Sequence, residues 1–159
     1  MPTFLGKKFS VDWRGRPPHM LLTDIPVWFR FLETYGHLFE ALYYDCFVGG
    51  QYHTPEELKD PMTRMWWANT AKRLDALAVL ENEIWIIEVS KAPGLRAIGQ
   101  LQSYRVLYLE DPKFVKLEKM VLVLEHIDQD VIASAAAYGI LCHVMPVEPG
   151  KESYHFLTP

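Results

Sequence analysis

Large apolar side chains recur at three- and four-residue intervals in the first third of the chain: Trp28, Leu32, Tyr35, Phe39 and Tyr43. This spacing places them on one face of a helix. Thr23 or Asp24 offers an N-cap before them, and Pro26 falls in the first turn, where proline is tolerated. The pattern therefore predicts an amphipathic helix that continues to about Tyr44.

The segment before this helix contains prolines and scattered basic and aromatic residues. Pro17 and Pro18 are adjacent, and a residue that precedes proline is disfavoured in a helix. We therefore expect residues 1–24 to form an extended arm that lies along the domain or on a neighbouring subunit. Residues 25–146 are predicted to form one α/β domain, and residues 147–159 an irregular tail.

The rest of the chain alternates helical patterns with short apolar runs. Thr54 and Glu57 form a capping box that predicts a short helix, Pro61 breaks or restarts it, and residues 62–71 fit either a helix or a strand. The later predicted elements are a hairpin over 73–91, a helix over about 94–110, a strand over 120–124, a helix from Asp128 to near Gly139, and a strand over 140–145. This order predicts an α/β (α+β) fold in which helices flank a mixed central sheet.

Two acids interrupt the apolar hairpin. If Glu81-Asn82 is a two-residue turn, counting outward along both strands places Asp75 directly opposite Glu88. Directly opposed side chains lie about 4.5–5.5 Å apart at Cβ, which is close enough for two carboxylates to share one divalent cation. Because acids among valine, isoleucine, leucine and tryptophan are costly unless something compensates them, the hairpin predicts a metal site.

Composition narrows the function classes. The chain has 159 residues, half of them hydrophobic, which suits one domain with a single core. Its net charge of -4 gives no overall attraction to nucleic acid or acidic membranes, so contact with DNA would need a local basic patch. Two isolated cysteines, with no long apolar run and no signal-peptide pattern, lead us to expect a cytoplasmic protein without a membrane partner.

Asp75 and residues 88–90 (Glu-Val-Ser) resemble the two-part motif of the PD-(D/E)xK phosphodiesterase superfamily, which has the restriction-endonuclease-like fold. The predicted helix over residues 97–104 is similar to the one that often follows this motif. The resemblance covers about residues 73–104 in motif and about residues 26–146 in element order. It implies a restriction-endonuclease-like core and hydrolysis of phosphodiester bonds.

One residue departs from the family motif. The motif lysine should stand two residues after the second acid, where this chain has Ser90. Lys91 is adjacent, but strand alternation points it to the opposite face, and Lys72 is a candidate to supply the charge from elsewhere. Serine can hydrogen-bond a water but brings no charge, so the resemblance implies either a weak, differently assisted reaction or a fold kept without activity.

The resemblance implies that Asp75 and Glu88 bind Mg²⁺ or Mn²⁺ together with the carbonyl group of Val89 and waters. The metal would polarise the scissile phosphate and deliver a hydroxide. A structural alternative also fits the sequence. In that alternative, Asp75 lies in solvent at a strand end, and Glu88 pairs with a basic neighbour such as Arg73 or Lys91.

Other predicted site residues lie on the two helices. The superfamily often takes an additional acid from its first helix, so Glu40 or Glu33 would approach the metal; the alternative is that both belong to a solvated polar stripe. Gln100 would orient a water or hydrogen-bond a metal-binding acid. Alternatively, Gln100 is a partly buried helix residue that caps a neighbouring strand.

Basic and aromatic side chains suggest partners. The candidates for a DNA groove are Arg14, Arg16, Arg64, Lys72, Arg73, Arg96 and Arg105. Trp13, Trp66 or Trp67 would stack on bases, or would instead anchor the core or an interface. The aromatic first helix and the arm favour a homo-oligomer or a larger assembly.

Two functions therefore fit the sequence. The first is a metal-dependent nuclease that hydrolyses DNA, which Asp75, Glu88 and Gln100 favour. The second is a catalytically inactive nuclease-fold module used for binding or assembly, which the absent lysine and the acidic net charge favour. A phage head-completion or neck protein is an example of the second function, and it would be virion-associated.

Overall fold

The computed structural model describes residues 3–147, in which one sheet of six strands carries helices on both faces. The strands are β1 (Lys8–Phe9), β2 (Ala41–Val48), β3 (Lys72–Val79), β4 (Glu83–Ser90), β5 (Leu117–Leu124) and β6 (Leu141–Val144). They lie side by side in chain order. β1 to β4 pair antiparallel, whereas β4, β5 and β6 pair parallel. The predicted mixed sheet with flanking helices is confirmed.

The helices are α1 (Ile25–Tyr35), α2 (Pro61–Thr70), α3 (Arg96–Glu110) and α4 (Gln129–Ala137). α1 covers one face of the sheet with Trp28 and Phe31, and α3 and α4 cover the other with Leu101, Tyr108 and Val131. We call these the α1 face and the α3 face. α2 buries none of its residues.

β3 and β4 form the predicted hairpin in the predicted register. Ala76 lies opposite Ile87, so the next pair outward is Asp75 and Glu88. The two acids therefore oppose each other at the end of the hairpin that is remote from its turn.

The first helix is shorter than predicted. It ends at Tyr35, where Gly36 is the C-cap, and a strand replaces the last part of the predicted helix. Leu42 and Tyr44 are buried between half-buried neighbours, as the alternation of a strand requires. The prediction that the helix reaches Tyr44 is wrong: Phe39 and Tyr43, which a helix would place on one face, pack on opposite faces of the sheet.

The arm lies along its own domain. Within residues 3–24, β1 pairs with β2, and Phe4 forms an isolated bridge with Phe47. The described part of the arm is extended rather than helical, as the prolines predict, and it supplies the first strand of the sheet. Most of the predicted tail, residues 148–159, lies outside the described residues.

The segment between β2 and β3 is helical. Thr54 and Glu57 form the predicted capping box, with the Thr54 hydroxyl donating to the Glu57 carboxylate at 3.1 Å, although only a single 3₁₀ turn follows. Pro61 then starts α2, whose N-cap Asp60 accepts the N–H of Thr63. Residues 62–70, which fitted either a helix or a strand, belong to this helix.

Candidate functional site

β2 changes the face on which its side chains pack at one acid. Leu42 and Tyr44 pack on the α1 face, whereas Cys46 and Val48 pack on the α3 face. In a regular strand all four would share one face. Asp45 lies where the change occurs, and its φ of 51° is in the left-handed region, which non-glycine residues rarely adopt.

β3 makes the same change at Asp75. Ala76 packs on the α1 face and Leu74 on the α3 face, and the pairing of the two strands is interrupted where Asp45 lies opposite Asp75. The Asp75 carboxylate reaches β4, where its Oδ2 accepts the backbone N–H of Val89 at 2.8 Å. The interrupted ladder thus leaves Asp75 beside Glu88.

Glu88 lies on the α3 face. β4 alternates regularly, so Glu88 shares that face with Ile84 and Ile86. Asp45, Asp75 and Glu88 therefore form a row across three neighbouring strands, which are about 4.8 Å apart. Asp75 and Glu88 each keep some accessible surface, but the Oε2 atom of Glu88 is buried without a hydrogen-bond partner.

Burial raises the pKa of both carboxyl groups. Burial, with repulsion from Asp75, raises the pKa of Glu88 to about 8. Burial also raises the pKa of Asp75 to about 6, and the charges of Asp24 and Asp45 add to this. The pKa of Glu88 is raised further than that of Asp75, so Glu88 is the first of the two to take up a proton as pH falls.

Asp24 is a third acid at this site. It is the N-cap of α1, but its side chain does not cap the helix; it accepts the backbone N–H of Lys91 at 2.8 Å. This bond ties the start of α1 to the end of β4. Asp24 is only 7% exposed, and its charge raises the pKa of both Asp75 and Glu88.

No cation compensates the acid pair within the described residues. Arg73 contacts Asp45 at 3.1 Å, and Lys91 reaches Glu125 at 3.8 Å. Lys72, the candidate substitute for the motif lysine, donates to the backbone carbonyl of Thr70. The structural alternative, in which Glu88 pairs with Arg73 or Lys91, is therefore wrong.

One turn of α3 lies over the pair. Burial raises the pKa of Tyr104 to about 12, and the charges of Glu88 and Asp75 contribute to this. Gln100, one turn earlier, is half-buried and makes no hydrogen bond to either acid in the described part of the chain. Ser90 is half-buried two residues beyond Glu88, on the same face by strand alternation.

Glu40 and Glu33 do not join the acid pair. The prediction that Glu40 lies on the first helix is wrong: it precedes β2, its N–H donates to the Val79 carbonyl, and its carboxylate pairs with Lys116 at 3.1 Å. Val79 is four residues along β3 from Asp75, or about 13 Å. Glu33 is exposed on α1, nine residues and thus about 13 Å from the N-cap that faces the site.

The oxygen atoms available at the acid pair are of the type that a hard divalent cation binds. Asp75 and Glu88 offer carboxylate oxygens, one oxygen is buried without a partner, and no lysine or arginine among the described residues competes for them. Protein ligands are few, because no three acid, histidine or cysteine side chains of residues 3–147 are placed to hold one metal ion. A cation here would take its remaining ligands from backbone carbonyls or waters.

The sequence did not reveal Asp24, Asp45 and Tyr104 as parts of the site. Asp24 had a sufficient explanation as an N-cap, and Tyr104 lies one turn after Gln100, a residue already considered. The signal for Asp45 was an acid inside an aromatic and apolar stretch, the feature that identified Asp75 and Glu88. It was missed because the residues before Asp45 were predicted to be helical and no strand was assigned to residues 45–48.

The basic and aromatic candidates for DNA contact lie in different environments. Arg105 pairs with Glu118 at 2.9 Å. Trp13 and Trp67 are partly buried, Trp67 against Phe47. Trp66, by contrast, is 60% exposed on α2.

No protein-family model, no curated protein and no solved structure matches this chain. The resemblance to the PD-(D/E)xK superfamily therefore rests on the motif and on the element order, and the restriction-endonuclease-like core stays a prediction. None of the helices within residues 3–147 is long and apolar enough to cross a membrane.

Proposed function

We propose that the protein is a metal-dependent nuclease that hydrolyses DNA phosphodiester bonds weakly. The observation that carries this proposal is the opposed pair Asp75 and Glu88, buried together with no cation in the described structure to offset their charge. Such a pair is costly to keep for stability alone. A bound Mg²⁺ or Mn²⁺ would remove that cost.

Different residues of the chain would bind the metal and position its ligands. Asp75 and Glu88 would hold the metal, which when bound supplies a Lewis acid for the scissile phosphate and an activated water. The N–H of Val89 holds Asp75 in position, and Asp24 fixes the end of β4 through Lys91. Because Ser90 brings no positive charge, stabilisation of the phosphate in the transition state is weaker than a lysine would give.

Nicking of supercoiled plasmid in Mg²⁺ or Mn²⁺ tests this proposal. Asp75→Asn and Glu88→Gln should each abolish nicking, because each removes a metal ligand while keeping the side chain's shape. Ser90→Lys should raise the rate about tenfold or more, because preorganised charge stabilises the transition state. Glu83→Gln is the matched control, since Glu83 lies on the same strand and pairs with Lys119 instead.

Melting temperature gives a second measurement. Mn²⁺ should raise the melting temperature of the wild type and of Glu83→Gln but not that of Glu88→Gln. Absence of nicking with either metal, together with no metal-dependent stabilisation, would reject the nuclease. Nicking that survives Glu88→Gln would assign the cleavage to another site or to a contaminant.

A binding or assembly module is the second candidate, and α2 favours it. Met62, Met65 and Trp66 are 78%, 62% and 60% exposed at positions that share one side of the helix. Exposed clusters of this kind mark interaction surfaces. Under this proposal the fold serves in a homo-oligomer or a larger assembly, such as a phage head-completion or neck structure, and is virion-associated rather than cytoplasmic.

A further inference from the structure

Two strained residues contact each other beside the acid pair. His19 and Asp45 are the non-glycine residues of the range 3–147 that have a positive φ, at 60° and 51°. Their side chains approach to 3.6 Å between His19 Nε2 and Asp45 Oδ2. Backbone strain of this type persists only where the surrounding structure enforces it, and it concentrates at functional sites.

Arg73 completes this cluster. Its Nε lies 3.1 Å from Asp45 Oδ1, and its Nη1 lies 3.5 Å from His19 Nδ1. The guanidinium also lies over the ring of Phe47, 4.6 Å from the centroid. An arginine held by a carboxylate and an aromatic face has lost much of its side-chain freedom before any ligand binds, which suits it to a phosphate.

The cluster is open to solvent. The side chain of His19 is 57% exposed and that of Arg73 is 34% exposed, whereas that of Asp45 is 14% exposed. The contact between Arg73 Nε and Asp45 Oδ1 also lacks hydrogen-bond geometry, since both atoms are buried without a hydrogen-bond partner. Asp45 therefore contacts the two basic groups on their inner side and leaves their outer surface accessible to solvent.

The position of the cluster relates it to the proposed chemistry. Asp45 is one strand, or about 4.8 Å, from Asp75. Four acids surround the site, namely Asp24, Asp45, Asp75 and Glu88, so an approaching phosphate backbone meets net negative charge. A strand held with one phosphate at Asp75 and Glu88 would need a cation under its neighbouring phosphate, and Arg73 and His19, which both contact Asp45, are basic side chains at this end of the sheet.

We propose that Arg73 and His19 form a phosphate-binding pair that holds the nucleic-acid backbone next to the scissile phosphodiester. This inference rests on the proposed action on DNA. Arg73 and His19 are positioning residues, and Asp45 orients both of them. His19 also lines an open depression on the arm, together with Arg16 and Leu22.

Fluorescence anisotropy of a labelled DNA oligonucleotide, titrated in Mn²⁺ at several salt concentrations, tests the pair. Arg73→Gln should weaken binding about tenfold, and it should reduce the slope of log K against log salt by about one, because one phosphate contact is lost. Arg73→Lys should retain the slope. Arg105→Gln, which removes an arginine paired with Glu118, should change neither quantity.

His19→Gly separates binding from folding. Glycine adopts a positive φ without strain, so this variant should keep its melting temperature while losing affinity for DNA. A purely structural role for the cluster would instead lower the melting temperature and leave the salt dependence unchanged. The proposal of a phosphate-binding pair would be overturned if Arg73→Gln and His19→Gly both kept the wild-type DNA affinity and salt slope. It would also be overturned if the wild type bound no DNA.

The outcomes also separate this inference from the nuclease proposal. Binding that depends on Arg73 without any nicking would remove the nuclease and keep the phosphate-binding pair. Nicking that depends on Glu88 but is indifferent to Arg73 and His19 would keep the nuclease and remove the pair.

Discussion

Replacing Glu88 by glutamine should remove most of the pH dependence of stability that the acid pair causes. In the metal-free protein, burial and the neighbouring charge raise the pKa of Glu88 to about 8, well above its ordinary value. Between about pH 4.5 and about pH 8, the folded state therefore binds more protons than the unfolded state. The free energy of unfolding falls as pH rises through that window, because stability declines wherever the folded state must release a proton that the unfolded state has already lost.

The size of the effect follows from the shift and from the exposure of the pair. Each unit of pKa difference corresponds to about 1.4 kcal/mol. Glu88 keeps some accessible surface, and solvent screening reduces the full value. We expect the wild type to lose on the order of 2 kcal/mol between about pH 5 and about pH 8, a loss that Glu88→Gln should largely avoid.

Urea unfolding in a chelator, measured at several pH values, gives the required free energies. Glu83→Gln is the control, because hydrogen bonds with Lys119 and Trp85 lower the pKa of Glu83. The contribution of Glu83 is present above its ordinary pKa and is lost as pH falls, so this variant should keep the wild-type decline above about pH 5. Parallel pH profiles for the wild type and Glu88→Gln would refute the argument that the pair is uncompensated.

Two further changes test the fold. Trp28→Phe should cost about 1–3 kcal/mol in urea unfolding, because it removes the indole N–H that donates to the buried Tyr44 hydroxyl at 2.7 Å; a cost no larger than that of an exposed substitution would contradict the burial of this pair. Asp128→Ala should cost about 1 kcal/mol through loss of the α4 N-cap, whose carboxylate accepts the N–H groups of Asp130 and Val131, and Asp128→Asn should recover most of it.

The hairpin was predictable because its information is local. A two-residue turn fixes the pairing of both strands, so counting from Glu81-Asn82 was enough to oppose Asp75 and Glu88. The cap of α4 was predictable for the same reason, since Asp128 bonds to residues two and three positions later. In both cases the contacts that decide the structure lie within one segment of sequence.

The errors lie where decisive contacts are distant in sequence. Residues 41–44 continue a helical pattern locally, but they form a strand because they pair with residues of β3 more than thirty positions away. Glu40 was predicted to approach the metal, but with residues 41–44 in a strand it lies at the end of the sheet that is remote from Asp75. The same pairing placed Asp45 beside Asp75, a contact that no short-range pattern contains.

The departures from regular strand geometry are concentrated at one place. β2 and β3 both change faces at Asp45 and Asp75, and the side chain of Asp45 holds the strained His19 and the cation Arg73. A sheet built only for stability would continue its alternation and fill these positions with apolar side chains, which is neutral or favourable compared with burying acids. The regular alternation of both strands breaks at the same place, and such departures are expected where a fold carries a functional site. At this place Asp45 contacts His19 and Arg73, and Asp75 lies beside Glu88. The acid pair and the basic pair are therefore best tested as one site, with nicking and metal-dependent stability reporting the first and salt-dependent DNA binding reporting the second.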